Sequence, residues 1–387
     1  MRIITLLCWA WCTALFAQEP SQQFAPIESL NDGVWLKGDL HLHSRHSDDS
    51  SNNPLSKIIG LAEAVAMDFL GITDHDNHVL GDVAGHTWAD PQFQSDSVLL
   101  FYGAEWTTHR GHGNTFAARP YDHQSFYDLR DARDINIARR KSELGIHLSA
   151  NHPSGGDPFG FSYDMIDSIE VWNSARWTRN ADAFIVWDDM LKSGRMITGR
   201  GGSDSHHGNP DRPELESRNS WQRPVNYVGT PTTWVYANER SAAATIAGLT
   251  TGRVAVSANP NAPRAVFRAD TNADGSMDIM MGDNVPAPST PVQFTITLEG
   301  QTEPGAEYTA RITKDGFEWQ VLRVTAEAGK PTLIEFSDSP SQSERSYYRA
   351  VVEGPIPDYP EVPGAAEISA PVVSITNPLY FNFDESF

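Results

Sequence analysis

Along this chain, short apolar runs repeatedly end on a residue able to bind a metal ion, and that recurrence constrains the fold more than any composition figure. Asp39-Leu40-His41-Leu42-His43 alternates polar and apolar side chains, so on a strand His41 and His43 share one face while Leu40 and Leu42 share the other. Two imidazoles at i, i+2 on a strand end can chelate one divalent ion, because neutral imidazole is the commonest protein ligand for zinc and similar metals. The same placement returns in Gly71-Ile72-Thr73-Asp74-His75-Asp76, Gly103-Ala104-Glu105, Gly111-His112-Gly113, Asn151-His152-Pro153 and Gly202-Ser203-Asp204-Ser205-His206. Independent surface residues have no reason to recur in step with strand ends. Ligand-type residues at the C-terminal ends of successive strands belong at one rim of a β/α barrel, where the following loops converge.

Between these runs the pattern alternates strand and helix. Strands are expected at 36–43, 69–73, 98–106, 146–150, 168–172, 195–199, 227–236 and 253–257, with helices at 54–67, 125–144, 181–192 and 241–250. The first helix has Asn53 as its cap and Pro54 at its first position. Strands separated by helices of this length imply parallel pairing through right-handed crossovers. From about Pro260 prolines cluster and helical periodicity ends. Runs at 292–298, 308–312, 320–324 and 347–352 alternate instead as strands, the signature of a β-sandwich over 265–387. Inside it, Asp270-Thr271-Asn272-Ala273-Asp274-Gly275-Ser276-Met277-Asp278 matches the start of a calcium loop. Met281 stands where that loop needs a bidentate Glu, so the stretch reads as an acidic turn.

Residues 1–17 have a basic start, an apolar core and a small residue before Gln18, the pattern of a secretory signal peptide. The apolar run is shorter than the ~20 residues a membrane span needs, so no anchor is expected. A linker over 18–33 follows, and the product is expected in the periplasm or secreted. Both cysteines, Cys8 and Cys12, lie in the leader. The exported protein then has neither disulfides nor thiolate ligands. With Lys+Arg 29 against Asp+Glu 50 the formal charge is −21, which disfavours duplex nucleic acid and anionic lipid as partners.

The order H-x-H, S-D, I-T-D-H, G-x-E, G-H, H-P, G-S-D-x-H resembles the PHP (polymerase and histidinol phosphatase) superfamily. Within it, the chain is most similar to the CehA/McbA-type branch of stand-alone metallohydrolases. The resemblance implies an α/β fold, a distorted (β/α)7 barrel over 34–260, followed here by the 265–387 sandwich as an accessory domain. It also implies two or three divalent ions (Zn, Mn or Fe). His41, His43, Glu105 and Asp204 would hold one, Asp48, His75 and His206 a second, and His112 and His152 a third, with Glu105 bridging. Asp49 directly follows Asp48 and is an alternative ligand, and His109 precedes His112 by three residues. Asp74 is expected to orient an imidazole from behind, while His78, His86, His123 and His147 read as surface or packing residues.

Sulfur-free donors of this kind suit an ion that turns water into hydroxide near neutral pH. No protein nucleophile is needed, and the sequence offers neither a cysteine nor a G-x-S-x-G elbow. Arg45, His46 and His109, with Arg110 and Arg176, sit beside the motifs as candidates to bind an anionic group or protonate a leaving group. Trp106, Trp172 and Trp177 suit either an apolar pocket or the core. The expected activity is hydrolysis of a small-molecule ester, a phosphoester foremost, by a metal-bridging hydroxide in a di- or trinuclear site. A carboxylic or carbamic ester hydrolase is the alternative, and a non-catalytic metal-stabilised binding module the second.

Overall fold

The computed structural model describes residues 30–174, 177–206, 227–360 and 371–384. The proposed leader, most of the linker, Arg176 and the side chain of Trp177 lie outside the described residues. The chain is a mixed α/β protein with one large sheet and few helices.

The first strand, β1 (Val34–Leu42), pairs in parallel with β2 (Phe69–Ile72), and β2 with β3 (Leu99–Thr108). Gly38 permits the first pairing, because a Cβ there would lie 2.3 Å from the Phe69 carbonyl oxygen. Helix α1 (Leu55–Ala64) makes the crossover between β1 and β2, burying Leu55, Ile58, Ile59, Leu61 and Ala62. Its cap position is held by Pro54 without a side-chain bond, not by Asn53. Asn53 is buried and donates to the His43 carbonyl oxygen at 2.6 Å, so it serves the loop after β1.

Beyond β3 the all-parallel expectation fails. A strand unforeseen in the sequence, β4 (Gly111–Ala117), turns back on β3 antiparallel, and β5 (His147–Ala150) runs antiparallel to β4. The reason is the connection: only His109 and Arg110 separate β3 from β4, which allows a hairpin but no helical crossover. The polar helix expected over 125–144 is divided into α2 (His123–Tyr127) and α3 (Asp134–Leu144). With only Ile137 of α3 buried, its propensity alone cannot carry a helix through the break. Parallel pairing resumes with β6 (Ser168–Asn173) and β7 (Thr198–Gly202), joined by α4 (Trp177–Ser193).

The end of β7 returns to the end of β1. Asp204 donates its N–H to the His41 carbonyl at 2.8 Å and His43 its own to Ser205 at 3.0 Å, with Leu42 and Ser205 bridged in parallel. The first half of β1 pairs antiparallel with β8 (Thr232–Ala237). After α5 (Ala242–Thr250), capped by Ser241, β9 (Val254–Ser257) adds to β8.

The sheet does not stop where the sequence texture changes. β9 pairs antiparallel with the late strand Val372–Thr376, which continues into Ser346–Glu353 and the strands beside it. A second, four-stranded sheet includes Arg264–Asp270, Val292–Glu299 and Thr332–Asp338. The two sheets meet across an aromatic layer, with Phe294 4.8 Å from Phe336, 4.6 Å from Tyr348 and 6.1 Å from Phe381 between ring centroids. The acidic stretch after Asp270 is a hairpin loop whose carboxylates are spent internally, Asp270 accepting the N–H groups of Asn272, Ala273 and Gly275.

Asn377 ties this late strand to the earlier ones. Its Oδ1 accepts the Gly199 N–H at 2.7 Å, and its Nδ2 donates to the carbonyls of Gly199 and Val254, each at 2.8 Å. Asn377→Ala would strip partners from buried backbone groups at once, so a loss of about 2–3 kcal/mol in unfolding free energy is expected. Urea denaturation should show a lower midpoint with an unchanged slope.

Candidate metal centre

The motifs converge, though not all at C-terminal strand ends: Glu105 lies inside β3, and His112 is the second residue of the antiparallel β4. His41 and His43 leave β1 on one face, fully buried, with ring centroids 5.2 Å apart. His75 follows β2, Glu105 lies in β3, His112 in β4, His152 follows β5, and Asp204 and His206 follow β7. Glu105 is the hub. Its carboxylate lies 3.4 Å from His41 Nε2, 3.4 Å from His43 Nε2, 2.9 Å from His75 Nδ1, 3.2 Å from His112 Nδ1 and 3.5 Å from His152 Nε2. Asp204 Oδ1 stands 3.2 Å from His43 Nε2 and 3.5 Å from His41 Nε2. His152 and Asp204 take positive φ angles of 27° and 52°, a cost that non-glycine residues bear mostly where the surroundings force a functional geometry.

Of the two aspartates in the loop after β1, the second has its carboxylate beside the imidazoles. Asp49 Oδ2 lies 3.1 Å from His206 Nε2 and 3.5 Å from His75 Nε2. Asp48 is exposed, and its N–H donates to His78 Nδ1. The short 3-10 turn Asp48–Ser50 carries the two side chains in different directions, which no count of residues along the sequence reveals. Asp49→Asn is therefore expected to weaken zinc binding at least about tenfold more than Asp48→Asn, on the scale of losing one charged ligand. Chelator competition on both variants checks this.

Asp74 acts on an imidazole through a hydroxyl rather than directly, since Ser47 Oγ, its donor, also faces His43 Nδ1 at 3.4 Å. It accepts from the Ser44 N–H at 2.6 Å, Ser44 Oγ at 2.7 Å, Ser47 Oγ at 2.9 Å and Thr87 Oγ1 at 2.7 Å. Ser47 Oγ in turn accepts the His75 N–H at 3.0 Å, so Asp74 ties the loop after β1 to the strand end carrying His75. His75 Nδ1 also faces Thr107 Oγ1 at 2.7 Å, and the Thr107 N–H is held by Asp76, itself bonded to buried His123. His123 and His147 are packing residues with bonded rings, His147 joining Thr250 and Ser168.

Of the five candidates for anion binding or proton transfer, the four among the described residues each lie beside a carboxylate outside the cluster. Arg45 and His46 both bond Asp90 Oδ2, at 2.7 and 2.9 Å. His109, at the tip of the β3–β4 hairpin, is 74% exposed beside Asp131. Arg110 pairs with Asp134 and lies over the Phe161 ring. Trp106 and Trp172 are fully buried core residues, Trp106 packing on Phe126 and Phe161.

Sequence reasoning missed the layer behind the ligands. Glu170 of β6 and Arg200 of β7, both fully buried, form an ion pair at 2.8 Å next to His41, and Asn151 and Asn173 reach Glu105 and Asp204 from behind. A legible signal exists: a lone carboxylate in the apolar run Ser168-Ile169-Glu170-Val171-Trp172, and a lone cation among Gly199, Gly201 and Gly202.

Burial and neighbours set the charges. Burial works against ionised Glu105, but His75, His41 and His112 hold its carboxyl well below the usual range. Burial likewise opposes protons on His75 and His152, yet adjacent carboxylates raise both to about 10, and Glu170, Asp204 and Glu105 raise His41 well above its ordinary value. His43 falls to about 4, through burial and the neighbouring His206 and His75.

A divalent cation fits these residues. His41 Nε2 is buried without a hydrogen bond and has the Glu105 and Asp204 carboxylates beside it, at 3.4 and 3.5 Å, a cost for a polar atom that a cation between them would relieve. The groups His41/His43/Glu105, His43/His75/His206 and Glu105/His112/His152 each bring their donor atoms within 4.8 Å of one another.

No family model and no curated protein matches the chain. Among solved structures, it is similar to a two-domain protein from Bacteroides vulgatus ATCC 8482 containing a predicted PHP-like metal-dependent phosphoesterase. The identity is 16%, covering 92% of this chain and 98% of that one, with a TM-score of 0.43.

Proposed function

We propose that the chain is a metal-dependent hydrolase of the PHP superfamily, similar to its CehA/McbA-type branch, acting on a small-molecule phosphoester. The observation that carries this reading is the convergence of five imidazoles on one buried carboxylate, Glu105, within 3.5 Å. His41, His43, Glu105 and Asp204 would hold one ion, Asp49, His75 and His206 a second, and His112 and His152 with Glu105 a third. Nitrogen and oxygen donors without sulfur suit Zn, Mn or Fe. Bound there, such ions supply a water-derived nucleophile near neutral pH and neutralise charge on a phosphoryl group.

The chain's own residues order the site around that chemistry. Asp157 takes His152 Nδ1 at 2.9 Å, which turns Nε2 toward Glu105. His41 and His43 lie fully shielded at the floor, whereas the His112 and Asp49 side chains are 25% and 27% exposed, so the open rim of the cluster runs along these two. A complete third donor group favours a phosphoester, whose charged oxygens several ions can share. One observation favours the second reading, a carboxylic or carbamic ester: Arg45 and Arg110 are committed to Asp90 and Asp134.

The reading extends to the rest of the chain. The return of β7 onto β1 supports a distorted (β/α)7 barrel over 34–260, and the aromatic layer between two sheets supports a β-sandwich over 265–387. The basic start, apolar core and small residue over 1–17 favour export to the periplasm or beyond. The test compares kcat/KM for p-nitrophenyl phosphate, bis(p-nitrophenyl) phosphate and p-nitrophenyl acetate on metal-replete protein and on His41→Ala. Phosphate ester cleavage lost in the variant is expected. Acetate turnover lost in the variant, with no phosphate ester cleaved above background, replaces the reading with the ester hydrolase.

A further inference from the structure

We infer that Glu170, neutralised by Arg200, is the positioning residue that presents His41 to the metal centre. The inference rests on the metal-site reading above and adds a role that none of the sequence motifs carries. Glu170 faces His41 Nδ1 with both oxygens, at 3.0 and 3.2 Å. An ionised carboxylate only accepts, so Nδ1 must carry a proton, which leaves Nε2 as the nitrogen that offers a lone pair once the ring gives up its second proton to bind a metal. Nε2 points toward Glu105 and Asp204, at 3.4 and 3.5 Å.

Glu170 is not itself a ligand, although it lies close to His41 and His152. Its acceptor capacity is used up: Oε1 takes His41 and Arg200 Nη1 at 2.8 Å, while Oε2 takes the His152 N–H at 3.0 Å and Asn173 Nδ2 at 3.1 Å. A carboxylate offers about four lone-pair sites, and four donors fill them. Arg200 completes the arrangement. It donates Nε to Ser149 Oγ at 2.7 Å and Nη2 to Asn151 Oδ1 at 2.6 Å, and Asn151 donates on to Glu105 Oε1 at 2.9 Å. From one buried ion pair, hydrogen bonds thus reach His41 and His152 directly, Glu105 through Asn151, and Asp204 through Asn173 at 3.3 Å.

The backbone is shaped to admit the pair. A Cβ on Gly202 would lie 2.5 Å from Glu170 Oε1, 2.5 Å from the His41 Cβ and 3.0 Å from Arg200 Nη1. A buried ion pair is a poor source of stability, because desolvation offsets most of its attraction. Its value here is directional: it supplies an acceptor to His41 without leaving a net charge behind the ligands. Carboxylate partners of metal-bound histidines fix the tautomer and raise ligand basicity, and losing one costs about 10–100-fold in metal affinity.

The experiment is a double-mutant cycle read by zinc binding. Affinity for Zn2+ is measured by chelator competition for the wild type, Glu170→Gln, His41→Ala and the double variant, with urea denaturation of each metal-free protein alongside. Glu170→Gln is expected to weaken zinc binding about 10–100-fold when His41 is present and by less than about threefold when it is absent. An unchanged affinity in Glu170→Gln, or an equal loss in both backgrounds, overturns the inference and leaves the metal site standing. A wild-type protein that takes up no zinc overturns the metal reading itself, and the inference with it. If Glu170→Gln does not fold, Arg200→Lys serves in its place. It keeps the charge but cannot span Ser149, Glu170 and Asn151 together, so the same His41-dependent loss is expected, and a wild-type affinity overturns the inference.

Discussion

Glu105→Gln is expected to lower kcat/KM by at least about a thousandfold, some 4 kcal/mol of transition-state stabilisation. The substitution keeps the shape and removes the charge. The carboxylate it replaces stands within 3.5 Å of His41, His43, His75, His112 and His152, and is 1% exposed. An amide cannot bridge cations as a carboxylate does, and its NH2 would face imidazole nitrogens. Metal content measured by elemental analysis should fall together with turnover, while the far-UV circular dichroism stays that of the wild type. Full activity and metal content in Glu105→Gln would remove the hub from the site.

Metal uptake should be steeply pH-dependent and should release protons. In the metal-free protein burial opposes protons on His75 and His152, but neighbouring carboxylates raise both to about 10, and His41 and His206 are also raised. A coordinated imidazole must be neutral, so each of these rings gives up a proton on loading, at roughly tenfold in affinity per pH unit for each proton released. Zinc titrations in buffers of different ionisation enthalpy count those protons. More than about two per chain at pH 7 are expected, and none released would contradict the charge state. The stability of the metal-free protein follows with a definite sign. A histidine raised from 6.5 toward 10 stabilises the fold fully below about pH 6.5 and loses that contribution as pH climbs through about 10. Metal-free protein should therefore lose stability between pH 7 and 10, and metal-loaded protein should not share that loss.

The metal centre was legible where its chemistry is local to a strand end. Alternation in Asp39-Leu40-His41-Leu42-His43 determined that both imidazoles share a face, since side-chain direction on a strand has period two. The motifs carrying His75, His152, Asp204 and His206 follow strand ends as expected, whereas Glu105 lies inside β3 and His112 opens the unforeseen β4, and the structure brings all six to one cluster. The choice of Asp49 over Asp48 was not legible, because adjacent residues in a short turn diverge according to φ and ψ. His109 was misplaced for a related reason: the hairpin that brings His112 to Glu105 turns its own tip to solvent.

The sequence by itself determined the donor types, their order and the strands that present them, because each depends on neighbours only a few residues away. Tertiary structure alone decided the partners that come from far along the chain. Glu170 reaches His41 across 129 positions, Arg200 reaches Asn151 across 49, and Asn377 reaches Gly199 across 178. The strand pairing that unites them is the one that buries the core and satisfies its polar groups, a condition on the whole fold that no local pattern contains.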